Sequence, residues 1–129
     1  MIINSNSYNV MSDRMELLWE NEDTTAEFPS SADGSYVSST TIPLNVSSYK
    51  MLYILFYAST SVQQLHTQVL MPQAGETRLI CDYNRERYTR LVKSNNSSLT
   101  FRNGTVDAVN YATAADNLCA IPYRVYGVY

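Results

Sequence analysis

Tyr83, Arg85, Arg87 and Tyr88 fall within six positions and combine two aromatic faces with two planar cations. A pyranose presents apolar C–H patches that stack on aromatic rings, and hydroxyls that pair with fork-shaped Arg, Asp or Asn groups. The four residues are therefore a candidate saccharide site on a loop-to-strand segment. The commoner arrangement of such residues is a plain strand whose tyrosines pack and whose arginines sit in water. Glycoside hydrolysis would need two carboxylates at a set separation, a role open by residue type to Asp82 with Glu86 or to Asp107 with Asp116.

Other chemistries lack parts. A hydrolytic triad needs a base beside a nucleophile, and the one histidine, His66, lies on the polar side of an alternating segment with no motif around it. Cys81 and Cys119 are too few and too distant for a disulfide framework or a zinc site, and read as small buried residues, with a single bridge left open. The acidic residues show no calcium-loop pattern, so no metal is expected. The glycines are scattered at Gly34, Gly75, Gly104 and Gly127, which leaves no phosphate-binding loop, and no cofactor is expected.

Bulk properties set the frame for these residues. A chain of 129 residues has the length of one domain. Hydrophobic residues make up 45% and charged residues 16%, and the eleven tyrosines favour pleated, half-buried surface. The net charge of -3 is unevenly spread. From Met1 to Gly34 seven acids face Arg14 alone, a net of -6 that leaves +3 for the rest, concentrated between Arg78 and Arg102. Those segments are expected to fold against one another or to sit in water. A pI near 5.0 argues against nucleic acid. The longest apolar run, Met51 to Ala58, is strand-sized and far short of the roughly 20 residues of a spanning helix, so no membrane insertion is expected. Ile2 and Ile3 run at once into Asn4, Ser5 and Asn6, which is unlike a signal peptide.

Alternation and turn residues place strands at 15–19, 40–44, 51–57, 62–71, 77–81, 85–93 and 121–129, with no long helix. Leu17 and Trp19 should share a side, the 51–57 strand should be covered on both faces, and 62–71 should turn Leu65, Val69 and Met71 inward and Gln64, His66 and Gln68 to water. Pro72 to Gly75 should form a turn, and Ala112 to Asn117 a loop. The sharpest local signal is Asn103-Gly104, a dipeptide suited to a two-residue hairpin between 99–102 and 105–109, with Phe101 opposite Val106 and Leu99 opposite Ala108. In the closing strand, Ile121, Tyr123 and Val125 should oppose Arg124 and Tyr126. Pro122 marks an edge or bulge, and Gly127 a bend or the close approach of another backbone. The expected fold is all-β, a β-sandwich or jelly roll of about eight or nine short antiparallel strands in one domain over residues 1–129, with 1–14 and 21–39 as loop or flexible chain.

The run RERYTRLVKSNNSSLTF, a turn, a small-residue loop and DNLCAIPYRVYGVY together resemble the ends of short proteins and modules from phage and prophage tails and baseplates of Gram-positive gut bacteria. The pattern of that group closes on Ile-Pro-x-x-Ile-Tyr-Gly-Ile. Ile121, Pro122, Tyr126 and Gly127 match it, and Val125 and Val128 replace its isoleucines. LLWEN at Leu17 to Asn21 and TTIPLNVSSYKMLYILF at Thr40 to Phe56 are similar to its earlier strands, whereas the long acidic N-terminal loop departs from it. The resemblance implies a non-enzymatic, receptor-binding-like part of a virion tail. It implies a symmetric oligomer, with a trimer favoured, that contacts other phage tail proteins and a bacterial cell-wall saccharide. A structural or adaptor tail protein is the alternative, and a polysaccharide depolymerase a more distant one.

Overall fold

In the computed structural model, which describes residues 14–72, 75–108 and 113–129, every element is a strand. In chain order these are β1 (Met15–Glu20), β2 (Ser39–Pro43), β3 (Met51–Ser59), β4 (Leu65–Leu70), β5 (Glu76–Tyr83), β6 (Glu86–Asn95), β7 (Ser98–Ala108), β8 (Ala114–Ala115) and β9 (Cys119–Val128). They form two antiparallel sheets, one ordered β1-β9-β3-β4 and the other β2-β7-β6-β5 with β8 paired to β7. The all-β sandwich expected from alternation is therefore the fold. The N-terminal run 1–13, the middle of the expected turn at 73–74, Val109 and Ala112 lie outside the described residues.

The core follows the period-2 pattern. Leu52, Ile54, Phe56 and Ala58 of β3 and Val125 of β9 face Leu79, Val92, Leu99 and Phe101 of the other sheet, all at most 1% exposed. The segment between β1 and β2 contains no strand, yet it is tied down. Phe28 packs edge-on against Trp19 and Phe101 at 5.8 and 5.5 Å. The buried Asn117 amide donates to the carbonyls of Pro29 and Val37 and accepts from the N–H of Gly104, and the Asn117 carbonyl accepts from Phe28.

Four local expectations are corrected. Asn103 and Gly104 lie inside the continuous strand β7, where a register shift opposite Leu91 marks a bulge. Phe101 accordingly pairs with Val92 and Thr40, and Val106 with Tyr88 and Ala114. The glycine is needed for packing, since a Cβ at 104 would lie 2.2 Å from the Asp116 carbonyl oxygen and 2.7 Å from that of Cys119. In β1 a bulge at Leu18 sends Trp19 into the core and leaves Leu17 outside at 47% exposure. β9 is bulged too: Leu55 pairs with Arg124 and Phe56 with Pro122, so Tyr123 leaves the face of Val125 and its ring lies tilted 5.3 Å from that of Tyr57. Pro122 sits at that bulge in a strand flanked on both sides, while Gly127 makes room for the ring of Tyr49, three atoms of which would lie within 2.7 Å of a Cβ there.

β4 is inverted relative to its expected orientation. His66 and Gln68 point inward, where the edges of the two sheets meet, and bond across the gap: His66 Nε2 lies 3.0 Å from Cys81 Sγ, and Gln68 Nε2 donates to Thr77 Oγ1 at 3.1 Å. Leu65 and Val69 are left outside, 49% and 43% exposed. Polar partners across the seam outweigh the burial of two aliphatic side chains on an edge strand.

The sheets are also joined by a cation. Arg90 of β6 is 0% exposed. Its Nε donates to the Ala120 carbonyl at 2.8 Å, Nη2 to Cys119 at 2.9 Å and Nη1 to Arg102 at 2.6 Å, and its guanidinium lies 5.4 Å from the Phe28 ring centroid. Burial pulls the guanidinium down to about 9, which still leaves it a cation at neutral pH. Replacing Arg90 with Ala is expected to cost about 3–5 kcal/mol in urea unfolding, because two buried carbonyls and a part-buried one lose their donor. Arg90→Lys should recover only part of that loss, for want of a planar fork. A change below about 1 kcal/mol for Arg90→Ala would show that water or repacking replaces these bonds.

Candidate functional site

The β5–β6 connection is a two-residue hairpin closed by the Tyr83 and Glu86 pair, with Asn84 and Arg85 both left-handed at φ 49° and 66°. Two consecutive positive φ values describe a type I′ turn, whose twist matches the flanking strands. Asn tolerates this region, whereas for Arg it costs roughly 1 kcal/mol.

Next to the turn, Asp82 and Arg87 are cross-strand partners joined by two bonds, Nε to Oδ1 at 2.7 Å and Nη2 to Oδ2 at 3.2 Å. On the far side of Arg87 in the ladder lies Asp107 of β7, which accepts from the Thr113 hydroxyl. The residues from Asp82 to Arg87, with Asp107, line an open depression of about 490 Å³. Tyr83, one of the lining residues, is 40% exposed.

Of the four residues singled out in the sequence, Tyr83, Arg85 and Arg87 meet in this depression. Tyr88 does not. It points to the core at 9% exposure and donates to Glu86 Oε2 at 2.8 Å, and burial pushes its phenol well above the ordinary range. Strand alternation separates Arg87 from Tyr88, so adjacent residues cannot share the face. Asp82, Glu86 and Asp107, which the sequence offered only as catalytic carboxylates, also line it, and Asn84 is the lining residue that escaped the sequence reading. The legible signal was Asn84 between two alternating runs, obscured by an arginine where glycine is usual.

The hydrogen bonds from Arg87 hold the Asp82 carboxyl below its ordinary value of 3.8, so it is ionised at neutral pH and has no proton to give. Asp116 donates its N–H to Gly104, three residues and roughly 10 Å along β7 from Asp107. Cys81 and Cys119 are free and buried. Burial raises both thiols, that of Cys119 to about 12, the opposite of what a thiolate nucleophile needs. No group of three metal-ligating side chains occurs among the described residues.

Comparison with known proteins returns no match to a protein-family model, a curated protein or a solved structure.

Two outcomes follow from the hairpin geometry. The Asp82 carboxyl, followed by carbon NMR, should titrate below 3.8 in the intact protein and move up toward that value in Arg87→Ala. Because its folded value is lowered, the stabilisation is present at neutral pH and lost as pH falls through the folded pKa. Arg85→Gly should raise stability by up to roughly 1 kcal/mol by relieving the left-handed arginine, and an unchanged or lower midpoint would contradict strain at this turn.

Proposed function

We propose that the chain is a non-enzymatic binding module of the phage tail or baseplate type, which offers the β5–β6 hairpin tip to a bacterial surface saccharide and acts as a symmetric oligomer. The observation that carries the saccharide reading is the tight hairpin itself. It gathers the exposed Tyr83, two arginines and the Asp82 carboxylate around one open depression. An aromatic edge with fixed planar hydrogen-bonding groups is what a pyranose requires. Arg85 occupies a backbone conformation that favours glycine, and strain retained at an exposed loop tip is characteristic of functional positions.

Assignment to a tail, and a preference for three-fold symmetry, draw on the resemblance of the closing strand and its neighbours. Such open, shallow sites bind weakly one at a time, and repetition in an oligomer raises the effective affinity. In the depolymerase alternative the lowered Asp82 would serve as base or nucleophile and not as the acid. The structural or adaptor alternative keeps one observation of its own: Leu17, Leu65, Val69 and Met71 are all more than 40% exposed on a single outer side of the molecule.

Binding of the purified protein to glycan arrays and to whole Gram-positive cells tests the proposal. Tyr83→Ala and Arg85→Ala should each weaken binding roughly tenfold, about 1.4 kcal/mol, while Tyr88→Phe should leave it unchanged. Absence of binding across host walls would overturn the saccharide reading, and recovery of baseplate proteins alone would favour the adaptor.

A further inference from the structure

The acidic N-terminal run and the basic run from Arg78 to Arg102 form no ion pair with one another among the described residues. The acids find other partners. Glu16 accepts from the hydroxyls of Tyr49 and Tyr129, Glu20 pairs with Arg124, and Asp23 and Asp33 accept from nearby threonine and serine. In the basic run Arg87 is held by Asp82, Lys93 by Glu76 and Arg90 by carbonyls. The side chains of Arg78, Arg85 and Arg102 have no ion-pair or hydrogen-bond partner among the described residues. Arg78 and Arg102 are exposed on the outer face of the β2-β7-β6-β5 sheet, on either side of the half-buried Leu91: Arg78 is its partner on β5, and Arg102 lies at the β7 bulge opposite it. Two strand spacings, about 10 Å, separate their backbones, within the joint reach of two arginine side chains. Nothing in the rows beside them cancels this charge, since Glu76 is taken by Lys93 on one side and Ile80, Thr89 and Thr105 are neutral on the other. The hairpin depression lies on the same face, roughly 13 Å along β5 from Arg78 to Asp82.

We propose that Arg78 and Arg102 form a two-pronged clamp for one anionic group, a phosphate or a carboxylate, carried by the same saccharide chain that places a sugar in the hairpin depression. The proposal rests on the saccharide reading above and narrows the ligand to an anionic polymer. Charge complementarity carries it. Each guanidinium presents a planar fork of donors that matches a phosphate or carboxylate, and an anion between the two removes their mutual repulsion while taking up charge-assisted bonds. Leu91 gives the aliphatic stems of both arginines an apolar floor to lie on. The depression divides the work differently. Its lining sets Asp82, Glu86 and Asp107 against Arg85 and Arg87, an excess of negative charge that suits sugar hydroxyls and repels a second anion. A linear chain lying along β5 meets both places, its uncharged sugar at the tip and its anionic group at the clamp. The carboxylate of an acidic sugar and the phosphodiester of a polyol phosphate share the chemistry that the clamp recognises.

Calorimetric titration of the full chain with Gram-positive wall polysaccharide, polygalacturonate, poly(glycerol phosphate) and neutral dextran tests this. Wall polysaccharide and at least one of the two anionic polymers should bind more tightly than dextran, and the better of the two distinguishes carboxylate from phosphodiester. Raising the salt from about 0.05 to about 0.5 M should weaken that binding roughly tenfold, because screening shortens the reach of exposed charges. Arg78→Ala and Arg102→Ala should each weaken it roughly two- to fivefold, and the double change roughly tenfold. Lys50→Ala, which removes the same charge just before β3 of the other sheet, should leave it unchanged. An equal loss in Lys50→Ala, or failure of both anionic polymers to bind, would overturn the clamp. Wall polysaccharide that binds regardless of salt and of both arginines would overturn the clamp while leaving the saccharide reading in place, whereas no binding by wall polysaccharide or by any polymer would overturn both.

Discussion

Arg90 carries a full charge where no water reaches it, and each of its bonds goes to a backbone carbonyl rather than to a carboxylate. Side-chain partners can rotate away, but carbonyls of a strand cannot, so the guanidinium fixes the start of β9 relative to β6 and β7. Ala120, whose carbonyl receives one of these bonds, is itself left-handed at φ 49°. Such a residue costs roughly 1 kcal/mol, which the desolvated charge-assisted bonds around it offset. A Cβ at Gly104 would meet the Asp116 and Cys119 carbonyl oxygens at 2.2 and 2.7 Å and Arg90 Nη2 at 2.9 Å. Asn117 completes the same junction by holding the β1–β2 segment onto it.

The consequences reach the candidate site through β6. Arg87 and Arg90 are three residues apart on one strand, one pointing out and the other in, so the strand that is anchored in the core also carries the hairpin tip. Rigid support of this kind reduces the ordering cost that a weak sugar site would otherwise meet. The sandwich thereby divides its two outer surfaces. One sheet shows a charged ladder ending in the strained turn, and the other shows an apolar face.

Sequence pattern located the strands because burial on one or both sides writes itself into alternation: β3 and β9 are legible within two residues of their ends. It failed where a residue answers to a distant neighbour. Asn103-Gly104 has the composition of a turn, but its glycine serves the approach of Asp116, Cys119 and Arg90. His66 and Gln68 look like a wet face, but their partners Cys81 and Thr77 lie on the other sheet. Arg90 has the charge of a surface residue, and nothing local distinguishes it from Arg87. Tyr88 was grouped with Tyr83 by sequence proximity, which strand alternation overrides. The depression at the hairpin was half legible, since Tyr83, Arg85 and Arg87 lie in one run whereas Asp107 arrives from another strand.

The most direct test of the account is backbone amide shift mapping on the isotopically labelled protein during titration with fragments of host wall polysaccharide. Perturbations concentrated on residues 82–87 and Asp107, with the amides around Arg90 unmoved, are the predicted result. Perturbations confined to the outer face of the β1-β9-β3-β4 sheet, or none at saturating saccharide, would contradict it.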